Sequence, residues 1–168
     1  MINHNFMKIL SIPIIFYCLP LIAINAQSQN RFYVKGEIDS INDGGKLRLF
    51  RYRDGSIDAA GVDSIYKGKF LLSDTVSRPT LYWILGSGNN FPRFPLEIWA
   101  APGLVIYVSG KGNRLKTWNV TSSLPEQQEE NQYLAPSLAD WNKVQELQIK
   151  KQKIRREMQN STNNEKDS

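Results

Sequence analysis

From Phe32 onward the chain alternates: Phe32, Val34 and Ile38 are apolar, and Tyr33, Lys35, Glu37 and Asp39 are polar or amphipathic between them. A period of two is that of a strand with one buried face. Asn42-Asp43-Gly44-Gly45 reverses the chain, and Lys46 to Tyr52 resumes with Leu47 and Leu49 on one side. Arg53-Asp54-Gly55-Ser56 turns again, Ile57 to Tyr66 runs extended, and Lys67-Gly68 closes a hairpin onto Phe70 and Leu72. A Gly there supplies the positive φ of a tight turn. Leu81 to Leu85 is apolar at every position, which marks an interior strand covered on both faces. Leu96 to Trp99 and Leu104 to Val108 flank a Pro102-Gly103 turn, and Leu115 to Val120 reads as the last strand. The pattern predicts a mainly β fold: an antiparallel β-sandwich or partly open barrel of about eight short strands, spanning 27–121.

At Ser123 the period changes. Ser123-Leu124-Pro125-Glu126 has the form of a capping box with Pro in the first turn, and a helix follows to Leu134. Pro136 interrupts it. Ser137 with Asp140 would cap a second helix running to Met158, so that 122–158 forms a helical extension and 159–168 a disordered tail. Val144, Leu147, Ile154 and Met158 fall at three- and four-residue spacing, but Lys151 breaks the stripe. So sparse a stripe predicts docking through the first turns alone, by Leu138 and Trp141. Beyond Lys150 the cluster Lys150, Lys151, Lys153, Arg155 and Arg156 would then project into solvent, leaving a basic end free as a partner surface.

The N-terminal segment reads as a processing signal. Lys8 is the sole charge in residues 1–26, and the apolar run Ile9 to Ile24 spans 16 residues, short of the ~20 that cross a bilayer. An uncleaved anchor is the other reading, and Met7 is an alternative start. Tyr17 before Cys18 rules against lipidation. Cleavage after Ala26 makes the protein exported, to the periplasm or cell envelope, without stable membrane insertion. It also removes His4 and Cys18, the single histidine and single cysteine. Triad hydrolysis, thiol chemistry and Cys/His zinc sites are thereby excluded from the mature chain. No catalytic, cofactor-binding or metal-binding residue is assigned, and no cofactor is expected. Asp39, Asp58, Asp63 and Glu97 alternate with apolar residues and read as a solvent face. The net charge of +5 is local: residues 27–140 carry 13 Lys+Arg against 12 Asp+Glu, whereas 141–158 carry 6 against 2. A basic helix face rather than a nucleic-acid site accounts for it.

The order of short motifs carries a resemblance. Gly36-Glu37-Ile38 is followed by a Leu-rich strand, Asp63-Ser64, Gly68-Lys69-Phe70, Pro79-x-Leu81-Tyr82 and Leu96-Glu97. A Pro-Gly turn, Val105 to Val108 with Ser109-Gly110, and a helix near Glu130-Asn131-Gln132-Tyr133 complete the series. This resembles the uncharacterised N-terminal β-domain that precedes a thioredoxin-like domain, of the peroxiredoxin/TlpA type, in exported bacterial thiol-disulfide oxidoreductases. The likeness runs from Phe32 to Met158, with the Asp63–Gly68 segment shorter than the family pattern. No position matches the family's catalytic CxxC. The resemblance implies a non-catalytic binding or assembly module, or a detached N-terminal part of such an oxidoreductase. Its partner would be a thioredoxin-like domain or a second copy.

Two further groups are candidate sites. Phe91, Arg93 and Phe94, flanked by Trp83 and Trp99, would form an aromatic surface for peptide or glycan, or else plug the end of the sandwich. Ser40, Ser64 and Thr75 each follow Asp and precede an aliphatic residue, a pattern of O-glycan acceptors in some bacterial envelopes. Export makes the first prediction: mass analysis of the secreted protein should place its N-terminus at Gln27. Membrane-bound protein retaining Met1 or Met7 would contradict it.

Overall fold

The structure, a computed structural model, describes residues 30–88 and 90–166, with side chains followed to residue 161. Residues 1–29, with His4, Cys18 and the expected cleavage point after Ala26, lie outside the described residues. Eight strands come first: β1 (Arg31–Asp39), β2 (Lys46–Arg53), β3 (Ser56–Ser64), β4 (Lys69–Thr75), β5 (Thr80–Ser87), β6 (Leu96–Ala100), β7 (Val105–Lys111) and β8 (Asn119–Thr121). They form two packed four-stranded sheets, ordered β4-β1-β7-β8 and β3-β2-β5-β6, with no closed barrel. Neighbours pair antiparallel except β1 and β7, which run parallel. The interior is filled by the inward register of each strand, including Phe32, Val34, Leu47, Leu49, Leu72, Ile84, Ile98 and Ile106.

Glycine decides two close approaches. At the β3–β4 reversal Lys67 and Gly68 have φ of 49° and 76°, the left-handed pair of a type I′ turn. A Cβ on Gly68 would also stand 2.5 Å from the Ile38 carbonyl oxygen. On β1, a Cβ at Gly36 would enter the Phe70 ring. Gly36 therefore makes the space into which Phe70 inserts against Trp118, ring centroids 6.1 Å apart.

Three local expectations change. Leu115–Thr117 is a 3-10 turn, and β8 starts only at Asn119, because Leu115 and Trp118 both point into the core. The helix α1 (Pro125–Leu134) begins one residue after Leu124 without a side-chain cap, Pro125 itself supplying the preset φ. Ser137 does not cap the helix α2 (Leu138–Lys166) but donates its hydroxyl back to the Leu134 carbonyl. That helix continues through Lys166, well past Met158, so the tail from residue 159 is helical as far as it is described. No Pro or Gly follows Pro136 to break it.

The sandwich has two open edges, and polar side chains close both. On one side Asp63 of β3 accepts the outward Leu71 N–H of β4 at 2.7 Å. On the other, Gln127 of α1 accepts the Trp99 N–H of β6 at 2.8 Å and donates to Asn131, which donates to the Val120 carbonyl of β8 at 2.8 Å. A buried strand edge must find such partners. The second helix docks in the same manner. Gln145, fully buried, accepts the Lys116 N–H at 3.1 Å, and Gln148 accepts the Arg93 N–H at 2.7 Å. Trp141 lies edge-on to Phe94 at 5.3 Å and beneath the Lys116 ammonium at 5.4 Å. Lys116, only 6% exposed, is paired with Glu97 at 2.7 Å. Burial and the facing Glu97 raise the Glu130 carboxyl above its ordinary pKa. Trp141 is thus an anchor as expected, but Leu138 is 40% exposed and is not.

The helices are consequently held by amides more than by their apolar stripe. Gln127→Ala should lower stability by about 1–3 kcal/mol, since it orphans a buried backbone donor. Leu147→Ala, at an exposed position, should stay within about 0.5 kcal/mol. Urea denaturation of the two variants gives the comparison; the reverse ranking would contradict it.

Candidate functional site: an arginine-lined cleft

One end of the sandwich opens into a cleft of about 1020 Å³. The β2–β3 turn brings Arg53 and Asp54 to one rim, and the β4–β5 connection brings Ser77, Arg78 and Pro79 to the other. Asp54 and Gly55, with φ of 49° and 79°, make the β2–β3 turn a second type I′ reversal. Tyr52, Leu81 and Trp99 supply apolar wall, and the more buried Arg51 and Val76 form the floor.

Arg51 sits in the inward register of Leu47 and Leu49, and Asp74 in that of Phe70 and Leu72. Opposite charges therefore meet across the two sheets. The Arg51 guanidinium pairs with the Asp74 carboxylate, donates through Nε to the Tyr82 hydroxyl at 3.0 Å and through Nη2 to the Thr75 carbonyl at 3.0 Å. Tyr82 donates in turn to Asp74 at 3.0 Å and meets Phe32 edge-on at 4.8 Å. Burial works against the Arg51 charge, but its bonds to Asp74 and Tyr82 outweigh this and raise its pKa. Burial pushes the Tyr82 phenol up from 10.0 to about 12, with Arg51 opposing and Asp74 assisting the shift. Arg53 and Arg78 are exposed, and their guanidinium groups enter no ion pair among the described residues. Arg53 and Arg78 thus line the cleft together with Tyr52, Leu81 and Trp99, which lie in the outward register of β2, β5 and β6, while Arg51 is locked in place in the inward register.

The aromatic residues predicted to act together are split between the two ends of the sheet. Trp99 pairs with Leu81 in register and lines the cleft. Trp83 lies on the outer face of its sheet, stacked on Tyr52 at 5.4 Å, and its buried indole N–H has no partner among the described residues. Phe91 is buried at the other end of β5, packed over Gly86 and edge-on to Trp118. That end is five residues away from Leu81, roughly 16 Å along a strand. Phe94 is held against Trp141, and Arg93 is exposed with its N–H bound to Gln148. Phe91 and Phe94 therefore plug the far end, and no single surface contains all five. Lys150, Lys151, Lys153 and Arg155 are exposed on α2, but Arg156 does not project freely: its guanidinium donates to the Asn90 side-chain oxygen in the β5–β6 loop. Ser40, Ser64 and Thr75 are exposed at strand ends, Ser40 with φ of 53° and Thr75 with its carbonyl bound to Arg51.

Sequence reasoning passed over Arg51, Arg53, Asp74, Arg78 and Tyr82. The signal was there: two inward-register charges of opposite sign at the ends of otherwise apolar strands. Tyr82 gives a pH prediction. A phenol whose pKa is higher in the folded state stabilises fully below the unfolded value and loses that contribution as pH rises from 10 to 12. The unfolding free energy of the protein from urea denaturation should drop over that interval by on the order of 2 kcal/mol more than that of Tyr82→Phe. Parallel curves for the two would contradict the assignment.

Among the described residues no helix is long and apolar enough to cross a membrane, and no three His, Cys, Asp or Glu side chains converge as a metal site would require. No protein-family model matches the chain, and no curated protein is significantly similar to it.

Proposed function

We propose that the chain is an exported, non-catalytic binding module of the cell envelope, and that the arginine-lined cleft is its recognition site. The observation that carries this reading is the juxtaposition of the uncommitted Arg53 and Arg78 with Trp99, Tyr52 and Leu81. A guanidinium fork grips a carboxylate through two parallel bonds. An aromatic face beside it favours a flat, partly apolar ring. Together they suit a saccharide bearing carboxylates, that is, an acidic glycan, held in an open cleft of about 1020 Å³. The order of motifs that resembles the domain preceding thioredoxin-like domains supports a binding role of the same general kind.

Calorimetric titration with a short oligogalacturonate, and with a neutral galactose oligomer of equal length, tests the proposal. The acidic oligomer should bind and the neutral one should not, with affinity falling as salt is raised. Arg78→Ala and Trp99→Ala should each weaken binding about tenfold or more, a loss of ~1.4 kcal/mol, without moving the unfolding midpoint. Equal binding of the two oligomers, or no binding of either, would overturn it.

A further inference from the structure

We infer that α2 carries a second interaction surface, independent of the cleft, which docks an acidic amphipathic helix of a partner protein. At 100° per residue, Val144, Leu147, Lys151 and Ile154 fall within about 80° of one another on the helix. The face that grips the sandwich, through Trp141, Gln145 and Gln148, lies about a third of a turn away. The apolar members of the outward stripe are solvent-exposed: Val144 by 43%, Leu147 by 58% and Ile154 by 48%. Their spacing of three, seven and ten residues is that of the a and d positions of a heptad seam. Because the amides and Trp141 hold the helix in place, this seam is presented on a docked scaffold and is not consumed in folding.

The charge around the seam selects the occupant. Lys151 sits within it, and Lys150 and Arg155 flank it, all exposed. The neighbouring acid Glu157 is drawn to Lys153 at 3.9 Å, and Asp140 lies at the N-terminal end of the stripe. A second copy docking through the same face would set these cations against their own equivalents, and a Lys at a core heptad position disfavours self-pairing. A helix with aliphatic residues at its a and d positions and carboxylates at its e and g positions converts each repulsion into an attraction. The acidic helix is the occupant that satisfies both the apolar stripe and the charge.

The probe is a synthetic heptad peptide with Leu at a and d and Glu at e and g, labelled for anisotropy and titrated with the full chain; a Lys-for-Glu peptide serves as its opposite. The acidic peptide should bind one to one, gain helicity on binding, and weaken at least tenfold as salt is raised. Leu147→Asn should weaken binding at least tenfold while leaving the unfolding midpoint within about a degree, since that side chain is 58% exposed. The double variant Lys151→Glu with Arg155→Glu should reverse the preference and take the Lys peptide instead. Equal binding of both peptides, unchanged binding by the double variant, or no binding would overturn the inference. Sedimentation of the chain alone as a dimer that Leu147→Asn dissociates would also overturn it, by identifying a second copy as the occupant.

Discussion

The Arg51–Asp74 pair is the contact on which the open end of the sandwich depends. Its two partners come from different sheets, β2 and β4, at the point where apolar inward positions run out. A guanidinium and a carboxylate that are each less than a quarter exposed must be matched, and truncating one would strand the other. Tyr82 and the Thr75 carbonyl join the set, so Arg51 Nε and Nη2, Asp74 Oδ2 and the Tyr82 hydroxyl are all met from within the fold. The consequence is a fixed floor for the cleft. Hydrophobic closure would fill the same end and leave no concavity; an ion pair keeps the sheets registered while the rim above stays open to Arg53, Arg78 and Trp99.

The same economy governs the edges. A two-sheet sandwich leaves strand edges whose N–H and C=O groups invite pairing with other chains. Here Asp63 caps one edge, and Gln127 with Asn131 spans the other. Because α1 is tied to both sheets through amides, and α2 to the β5–β6 loop and the Lys116 turn, helix placement does not draw on Val144, Leu147 or Ile154. The helices are therefore oriented parts of the molecule with a surface to spare. Polar docking of this kind also fixes register, since each amide has one donor or acceptor it can reach.

What the sequence made legible follows from period and turn chemistry. Alternation, the unbroken apolar run at Leu81–Leu85 and turn residues located β1 to β7 within a few residues, and Asp54-Gly55 and Lys67-Gly68 announced their reversals because only left-handed backbone suits such short turns. The sandwich as a class was readable from these alone. The Gly36–Phe70 fit was not, since it depends on two strands whose pairing no local pattern states. Trp118 drew Leu115–Thr117 out of the extended form for a similarly non-local reason. The largest miss was in the helices. Docking was expected through Leu138 and Trp141 alone, and here Gln145 and Gln148 dock beside Trp141 while Leu138 is exposed. The grouping of Phe91 and Phe94 with Trp99 failed because neighbours in a loop need not share an end of the sheet. By contrast, Arg51 and Asp74 could have been flagged: inward charges of opposite sign at the ends of apolar strands have few explanations other than meeting each other.

The central claim, that the ion-paired floor and arginine rim make one recognition site, is tested most directly by backbone amide chemical-shift mapping during titration with oligogalacturonate. The account predicts perturbations concentrated at Arg53, Asp54, Ser77, Arg78 and Thr80, fading along β5 towards Gly86. Shifts confined to α2 or to the loop around Arg93, with the cleft residues unmoved, would contradict it.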